Sequence, residues 1–398
     1  LLVAVTAIVG AIGSVPFGVL ADRITRTRAL SLTIVLWGAA MIWSASAASF
    51  GGLLFARLFL GFVTAAAGPF VASLVGDYFP SSERGRVYGT ILAGELLGAG
   101  FGFAVTGDIA TLSWRAAFVV LAIPAFVLSA FVVRLDEPER GKREEDDPQT
   151  TDAQLLAREH GIEPHAELVL RRDPRRLGIV AAARYILRIR TNVVLIAASA
   201  CGYYFLAGVQ TFGVEFAKQQ YGIDQGLANV LLLVIGVGAV GGVLLGGTIG
   251  DALLRRRHLN ARITVSAISA TAAVILFAPP IFSRSATAAV PYLVFAAFAL
   301  SAQNPPLDAA RLDIVPPLLW GRAEGIRTLL RSLAMALAPL LFGAVSDYVF
   351  GGGRSGLQWT FAVMLLPLAA SAAFLFRGLR EYPRDVATAA SSFAGSNR

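Results

Sequence analysis

The amino-acid sequence predicts an all-α polytopic membrane protein made of two six-helix bundles. Of its 398 residues, 56% are hydrophobic and only 15% are charged, whereas about 25% of an ordinary soluble domain is charged. Apolar stretches of the length that crosses a bilayer as a helix, about 20 residues, recur along nearly the whole chain. Two charge motifs then occur once in each half of the chain, which indicates an internal repeat.

Eleven stretches qualify as membrane spans. They cover residues 1–20, 30–50, 53–75, 88–109, 118–133, 193–216, 228–250, 263–281, 288–305, 325–346 and 359–376. The first charge motif follows one span in the first half but two spans in the second half. Two repeats of six spans would therefore place one further helix before residue 1, and we expect the eleven spans to be helices 2–12.

The net charge of +8 reflects membrane topology. Arginines are concentrated in alternate connections, beginning with Arg23, Arg26 and Arg28. By the positive-inside rule these connections, and the C-terminus with them, are predicted to face the cytoplasm. We therefore predict a multi-pass protein of the cytoplasmic membrane and no nucleic-acid partner.

Two acid-containing motifs mark the arginine-rich end of the spans. Gly18, Asp22, Arg26 and Arg28 recur at identical spacing as Gly247, Asp251, Arg255 and Arg257. Asp77, Pro80, Gly85 and Arg86 likewise recur as Asp313, Pro316, Gly321 and Arg322. Membrane topology requires the arginines but not the repeated acids, so we predict a cytoplasmic gate that clamps the two bundles. Its predicted members are Asp22, Arg23, Arg26, Asp77, Arg86, Asp251, Arg255, Asp313 and Arg322.

A polar segment divides the two halves. Residues 1–133 are predicted as the N-terminal bundle, helices 2–6, and 192–380 as the C-terminal bundle, helices 7–12. Residues 134–191 form a cytoplasmic linker, and 381–398 a cytoplasmic tail. Within the linker, 174–190 has the pattern of an amphipathic helix, for which a connecting helix is favoured over a lipid-sensing one.

The first motif, in GVLADRITRTR, resembles the signature of the major facilitator superfamily, and RLFLG at 57–61 resembles its fourth-helix motif. The strings YFPSSERGR, WRAAF, EPERG, NPPLDAARLDIVPP and LFGAVSDY are most similar to the spinster-like branch. This resemblance implies the superfamily fold, alternating access, and a lysophospholipid-type or otherwise amphipathic substrate, with or without proton coupling. Thr64 stands where spinsters carry a glutamate, so a proton site at that position is lost or moved.

Charged residues within spans predict the transport site, because each costs about 2.5–3.5 kcal/mol at the centre of a spanning helix. Glu95 and Arg331 occupy equivalent positions in the two repeats. Glu95 is either a proton-coupling carboxylate or one half of a structural ion pair with Arg331 or Arg57. Both alternatives remain open from the sequence.

Further polar residues are predicted to line the cavity, since the resemblance implies that helices 1, 4, 7 and 10 surround it. With Arg57 and Thr64, these are Tyr203, Tyr204, Gln210, Gln303, Asn304 and Asp308. Such residues also join helices by hydrogen bonds. Asp308 has Arg311 as an alternative partner.

Two glycine ladders, Gly94-Gly98-Gly102 and Gly238-Gly242-Gly246-Gly250, would let other helices approach closely. Because the resemblance implies that the fifth and eighth helices meet between the bundles, we predict a sliding contact between these two ladders. The sequence contains no catalytic, nucleotide-binding or metal-ligating motif, and its one cysteine, Cys201, forms no internal disulfide. We therefore predict a monomeric transporter that is not an enzyme and has no metal and no cofactor. A multidrug or small-metabolite antiporter and a non-transporting receptor or scaffold are the alternatives.

Overall fold

The computed structural model describes residues 2–141, 153–171 and 173–394. In these residues the regular secondary structure is helical. The first half contains α1 to α6, which are Leu2–Ala21, Arg26–Ser46, Phe50–Thr64, Ala67–Tyr78, Ser81–Leu112 and Trp114–Val132. The linker contains α7, Ala153–Glu159, and α8, Ile179–Ile186. The second half contains α9 to α15, which are Arg190–Tyr221, Gln225–Arg255, Ala261–Phe282, Ala286–Ala302, Asn304–Ile314, Trp320–Ala344 and Gly353–Ala394.

The helices agree with the predicted spans. Among the described residues, nine helical units are long and apolar enough to cross a membrane, with α3–α4 and α12–α13 each counting as one unit. A shorter apolar helix, Thr6–Ala21, corresponds to the first predicted span, and the predicted span 88–109 lies within α5. The chain is thus an all-α multi-pass membrane protein, as predicted.

Helices α1–α6 pack with one another, chiefly α2 with α6 and α1 with α3, and α9–α15 form a second bundle. The bundles meet chiefly through two helix pairs, α1 with α14 and α5 with α10, and also where α4 contacts α14 and α5 contacts α13. Each pair is the counterpart of the other in the two halves of the chain, so the contact between the bundles is itself repeated.

The glycines of the repeated motifs make these contacts possible. A Cβ on Gly18 would lie 2.6 Å from the carbonyl oxygen of Gly321, and one on Gly247 would clash with the carbonyl oxygen of Gly85. Only glycine allows the backbones to approach so closely. The two helix pairs are therefore tightest at the arginine-rich end of the protein.

The sliding contact predicted between the two glycine ladders is wrong in its residues. A Cβ on Gly94, Gly98 or Gly102 would meet nothing within 4 Å. The ladder on α10 packs mainly against α12, where a Cβ on Gly242 would clash with the carbonyl oxygen of Phe298. Helices α5 and α10 touch instead near Gly85 and Gly247 and separate toward the opposite end.

The described parts of the linker and the tail contain helices that pack against the second bundle. Within the predicted amphipathic segment, a short 3-10 turn at Pro174–Arg176 is followed by the helix Ile179–Ile186, and α9 begins at the last residue, Arg190. Tyr185 and Ile186 are buried in the hydrophobic core of the second bundle. The residues predicted as a tail continue α15 as far as Ala394, with Tyr382 and Val386 in that same core.

Candidate functional site

The two bundles are joined at the arginine-rich end by two buried aspartates, and we call the contacts of Asp22 and Asp251 the gate network. Asp22 accepts hydrogen bonds from the backbone N–H of Gly321 at 2.9 Å and of Arg322 at 3.3 Å, and its carboxylate lies 3.2 Å from the Arg322 guanidinium. Because these donors belong to the N-terminal part of α14, the dipole of that helix also stabilises a negative charge on Asp22.

Asp251 makes the equivalent contact on the other side. It accepts hydrogen bonds from the backbone N–H of Gly85 at 3.1 Å and of Arg86 at 2.7 Å. The Arg86 side chain is exposed and lies 3.7 Å from Glu83, so Arg86 enters the network through its backbone. The repeated motif therefore places each acid against a helix of the opposite bundle.

The other predicted gate residues lie around these two contacts. Arg26 pairs with Asp77 of the first bundle and with Glu137 at the start of the linker. Arg255 donates to the carbonyl oxygen of Ser82 across the bundles at 2.9 Å. Arg23 is exposed. By the spacing of the motif, Arg255 is the counterpart of Arg26. In the structure, however, another arginine makes the ion pair that corresponds to the one between Arg26 and Asp77.

That arginine is Arg262, which sequence reasoning missed. It pairs with Asp313 and lies 3.2 Å from Asp251. Asp313 also accepts hydrogen bonds from Ser81 at 2.9 Å and from Tyr382 at 2.8 Å. The only sequence signal for Arg262 was an arginine at the start of a span, which topology alone explains.

Asp22 lies just beyond α1, and its environment changes its acidity. Burial raises its pKa to about 7, although the Arg322 guanidinium and the N–H of Gly321 oppose the rise. By contrast, Glu137 has a lowered pKa, because bonds from the Thr27 N–H and from Arg26 outweigh its partial burial. The raised pKa of Asp22 makes its carboxyl sensitive to changes of pH near neutrality.

A cavity of about 610 Å³ lies between α1, α3 and α14, on the side of the gate network away from the arginine-rich end. Its lining comprises Thr6, Ala7, Gly10, Ala11, Arg57, Thr64, Ala65, Thr328 and Ser332. In the described part of the chain, Arg57 is the charged residue of this lining. The volume is that of a small-molecule site, which is about 300–1,000 Å³.

Arg57 is partly buried and has an aromatic partner. Its guanidinium carbon lies 4.5 Å from the centre of the Phe118 ring, a cation–π contact. Among the described residues no acid lies within 4.0 Å of it, and the Thr64 hydroxyl donates to the carbonyl oxygens of Leu60 and Gly61 of its own helix. Arg57 thus brings an uncompensated positive charge to the cavity.

Arg331 of the second bundle is placed similarly. Its guanidinium carbon lies 4.4 Å from the centre of the Tyr203 ring. Glu95, which is exposed on α5, lies within electrostatic range of Arg331. The described residues include no ion pair within 4.0 Å between Glu95 and either Arg331 or Arg57, so the structural pair considered from the sequence is not formed in this conformation.

Four charged side chains are buried between α13 and α14, and we call Asp308, Arg311, Glu324 and Arg327 the buried quartet. Glu324 pairs with Arg311 and lies 3.1 Å from Arg327, while Arg327 also pairs with Asp308. Arg311 lies 3.9 Å from Asp308, the partner considered from the sequence. The quartet is neutral as a set, which makes the burial of four charges tolerable.

The buried quartet is connected both to the cavity and to the first bundle. The cavity-lining Thr328 donates to Glu324 at 3.0 Å. A Cβ on Gly68 of α4 would lie 3.5 Å from Oε1 of Glu324. The buried Tyr88 hydroxyl of α5 faces the quartet and has no hydrogen-bond partner among the residues that the structure describes. Sequence reasoning missed Glu324 and Arg327, because both follow the Arg322 motif and read as part of its charged end.

The remaining predicted lining residues are placed differently. Tyr204 donates to the sulfur of Met364 at 3.2 Å within the core of the second bundle. Gln303 and Asn304 donate to the carbonyl oxygen of Leu300 at 3.0 and 3.5 Å. Gln210 is exposed near the far end of α9. In the described part of the chain, these four residues do not belong to the lining of the 610 Å³ cavity.

Comparisons with known proteins agree with this architecture. The family model of the Major Facilitator Superfamily matches residues 1–306. The probable sulfoacetate transporter SauU of Cupriavidus necator is 26% identical over 336 residues, which cover 82% of this chain and 73% of that protein. The vesicular glutamate transporter 2.2 of Danio rerio is 23% identical over 392 residues, which cover 92% of this chain and 61% of that protein.

Solved structures share the fold at low identity. The fucose:proton symporter FucP of E. coli is 14% identical with a TM-score of 0.69, over 94% of this chain and 89% of that one. A bacterial homologue of the human lysosomal transporter spinster, in an inward-facing and unoccupied conformation, is 20% identical with a TM-score of 0.58, over 96% and 90%. Since several transporters match alike, the narrower spinster-like resemblance stays a prediction.

The superfamily predicted from the motifs is confirmed. Members of this superfamily are transporters and not enzymes. With its two helical bundles, its repeated acidic motifs and the matched family model, the chain belongs to the Major Facilitator Superfamily.

Proposed function

We propose that this transporter moves a small organic anion by alternating access across the cytoplasmic membrane. The observation that carries the proposal is Arg57, a cation in the cavity wall with no described acid within 4.0 Å. A cation within a span is costly unless a counter-charge is supplied. A substrate carboxylate or sulfonate would supply that charge, and the guanidinium can bind it through two hydrogen bonds.

The distribution of arginines between the bundles supports the same substrate. Arg57 belongs to the first bundle and Arg331 to the second, and each is held by an aromatic ring rather than by an ion pair. An anion with acidic groups at both ends can bridge them and so link substrate binding to the movement of one bundle against the other. The two curated relatives are named for sulfoacetate and glutamate, both of which carry a carboxylate.

Glu95 is our proposed proton site. It is the acid of α5 within electrostatic range of Arg331, without a close ion pair. Protonation of Glu95 would remove its negative charge, and the substrate anion would then balance the positive charge of Arg331. The anion and a proton would therefore move together. Glu95 therefore also remains the residue to test for coupling.

The gate network supplies the alternating step in this proposal. With Asp22 and Asp251 bound across the bundles, the predicted cytoplasmic side is closed below the cavity. Opening that side must break both contacts, and the symmetry of the motif makes the two break together. We propose that the protein does this as a monomer.

Proteoliposomes containing the purified protein test the proposal. We expect counterflow of radiolabelled sulfoacetate or L-glutamate, and strong loss of it in Arg57→Gln with partial retention in Arg57→Lys, because lysine keeps the charge but not the two-bond geometry. A matched control is Arg115→Lys, because Arg115 contacts Trp114 outside the cavity lining. Equal transport by wild type and Arg57→Gln would contradict the proposal.

A lipid-like substrate is the second candidate, favoured by one observation. A Cβ on Gly94, Gly98 or Gly102 of α5 would meet no described atom within 4 Å, and Leu97 and Phe101 are exposed on the same half of the helix. A gap of this kind would admit a lysophospholipid from the membrane. Transfer of a fluorescent lysophospholipid without sulfoacetate or glutamate counterflow would favour this candidate, and transport of a cationic drug alone would favour the multidrug alternative. Specific binding without any transport would favour a receptor.

A further inference from the structure

Helix α8 of the linker has one buried face and one exposed face. Ala182, Tyr185 and Ile186 are buried in the hydrophobic core of the second bundle, and the helix contacts α14. The opposite face carries Val180, which is 72% exposed, and the exposed Arg184. Residues four apart in a helix lie on the same side, so these two side chains are neighbours. The exposed face is therefore both apolar and basic.

The same face continues beyond the end of α8. The backbone N–H of Leu187 donates to the carbonyl oxygen of Ala183 at 2.9 Å, so the helical turn is carried on. At helical spacing, Leu187 and Arg188 then lie on the same side as Val180. Both side chains are exposed. We call these four exposed residues the outer face of α8: Val180, Arg184, Leu187 and Arg188.

The outer face of α8 lies where the spanning helices of the second bundle end. Helix α9 begins at Arg190, directly after this face in the chain, and is long and apolar enough to cross a membrane. A Cβ on Gly378 of α15 would lie 3.1 Å from Cγ1 of Val194, so this point of α15 is level with the start of α9. Val193 and Phe376, next to these points, are 42% and 47% exposed. Since exposed apolar side chains of spanning helices face lipid, α8 lies at the edge of the bilayer.

The edge of the bilayer is lined by exposed arginines of the linker and of α15. We call four of them the basic belt: Arg184, Arg188, Arg377 and Arg380. Among the residues that the structure describes, no acid lies within 4.0 Å of any guanidinium of the belt. The neighbouring acid of α15, Glu381, lies 3.4 Å from Arg190 instead. The belt therefore presents positive charge that the described part of the chain does not balance.

An anionic phospholipid matches both properties of this surface. Its phosphate oxygens can accept two parallel hydrogen bonds from a guanidinium, and its acyl chains can cover exposed apolar side chains. Basic clusters next to a spanning helix bind anionic headgroups for this reason. A soluble anion would balance the arginines but leave Val180 and Leu187 in water. The combination of charge, apolar surface and position at the bilayer edge thus favours a lipid.

We propose that the outer face of α8 and the basic belt bind the headgroup of an anionic phospholipid in the membrane leaflet at the arginine-rich end. Val180 and Leu187 insert among the acyl chains beside the phosphate that the arginines bind. The site is separate from the substrate cavity, whose lining contains none of these residues. It adjoins the gate network, because the carbonyl oxygens of Pro174 and Leu177, just before α8, accept hydrogen bonds from Arg322. The sequence favours a connecting helix, and the exposed face adds a membrane contact to that role.

Native mass spectrometry of the detergent-solubilised protein tests the choice of headgroup. Phosphatidylglycerol and phosphatidylcholine with identical acyl chains are titrated separately, and the fraction of protein that carries lipid gives an apparent Kd. We expect this Kd to be about tenfold lower for phosphatidylglycerol, because the belt attracts the anionic headgroup. In the double variant Arg184→Gln with Arg188→Gln, the two values should agree within about twofold.

Two further double variants serve as controls. Arg28→Gln with Arg256→Gln removes two exposed arginines from the same end of the protein, outside the belt, and should keep the preference. Arg184→Lys with Arg188→Lys should keep most of it, because lysine binds phosphate as a point charge. Equal affinities for the two lipids in the wild type would overturn the proposal. A preference that survives in Arg184→Gln with Arg188→Gln, or that the Arg28 and Arg256 control loses equally, would overturn it as well.

Spin labels in vesicles of phosphatidylcholine and phosphatidylglycerol test the apolar contact. The one cysteine is removed by Cys201→Ser, and the label is attached at Val180→Cys or at Glu163→Cys, an exposed position of the linker outside α8. We expect the label at position 180 to collide more with oxygen, which dissolves among acyl chains, than with a water-soluble nickel chelate. The label at position 163 should show the reverse.

A label at position 180 that is as accessible to the nickel chelate as the label at position 163 would overturn the proposal. The outer face of α8 would then be open to water and free for a soluble protein partner. Neither experiment requires a transport substrate. A failure of the protein to transport organic anions would therefore count against the proposed function and leave the lipid site to be judged by these two measurements.

Discussion

Asp22 binds the opposite bundle through both of its carboxylate oxygens: Oδ1 accepts from the N–H of Gly321 at 2.9 Å, and Oδ2 lies 3.2 Å from the Nε of Arg322. Asp251 makes the same kind of contact with Gly85 and Arg86. Because this geometry is repeated within the chain, the closed arginine-rich end has two equivalent attachments. Both must be released for the bundles to separate there.

The first prediction concerns the pH dependence of Asp22. Its pKa is raised to about 7 by burial, so the closed state binds the proton more tightly than a state in which Asp22 is hydrated. The closed state is therefore favoured below about pH 7 and loses stability as the pH rises through that value. We expect Asp22→Asn to insert normally into the membrane and to transport more slowly than the wild type at pH 8. The stability of its closed state should no longer depend on pH near pH 7.

Cysteine alkylation measures the opening. Ser14 is fully buried and donates to the carbonyl oxygen of Gly325 between α1 and α14. In Ser14→Cys with Cys201→Ser, we expect the alkylation rate, corrected for thiol ionisation, to rise between pH 6.5 and 8. Full transport by Asp22→Asn, with an unchanged pH dependence of alkylation, would reduce Asp22 to a topological residue.

The second prediction is that Gly18→Ala favours the state open at the arginine-rich end. The added Cβ would lie 2.6 Å from the carbonyl oxygen of Gly321. Because that oxygen belongs to the backbone, the clash is relieved only if α14 moves. Gly94→Ala is the matched control, because its Cβ meets nothing within 4 Å and alanine gains about 1 kcal/mol of helix propensity over glycine. With Ser14→Cys as the reporter, we expect faster alkylation in Gly18→Ala but not in Gly94→Ala. Equal alkylation rates in the two variants would contradict the prediction.

The third prediction concerns the buried quartet. Glu324→Gln leaves Arg311 and Arg327 short of one counter-charge, and breaking a buried ion pair on one side costs about 3–5 kcal/mol. We expect a clear fall in the thermal unfolding temperature of the detergent-solubilised protein. The double variant Glu324→Gln with Arg311→Gln restores neutrality and should recover part of the loss. A double variant less stable than the single one would show that the charges do not act as a set.

The fourth prediction tests Glu95 as the proton site. Glu95→Gln removes the titratable group near Arg331 but keeps its size. In proteoliposomes we expect counterflow of the anion to continue while accumulation driven by a pH gradient is lost. Gradient-driven accumulation equal to that of the wild type would remove Glu95 from the coupling mechanism.

Much of the architecture could be predicted from the sequence. Hydrophobic length located the spans, because a helix must cover the bilayer whatever its neighbours are. The repeated motif of Asp22 and Asp251 indicated a paired gate at one end. The cost of intramembrane charge singled out Arg57, Glu95 and Arg331.

Partner choice could not be predicted from spacing. The glycine ladders had the right period for a helix contact, but period identifies a face and not the helix that packs on it. The ladder on α10 faces α12, and that on α5 has no close neighbour. In the same way motif spacing selected Arg255, whereas Arg262 occupies the position beside Asp313.

The sequence by itself determined that this chain is a membrane-spanning repeat with charged ends and costly charges in its spans, because hydropathy and spacing are properties of each segment alone. Only the tertiary structure decided which charges meet. It placed Asp22 on the N–H groups of α14 and gathered Glu324 and Arg327 into a neutral quartet. It also left Arg57 at the cavity with no acid of the described part of the chain within 4.0 Å. Those outcomes depend on how distant helices pack, since an ion pair forms only where packing brings its partners within reach.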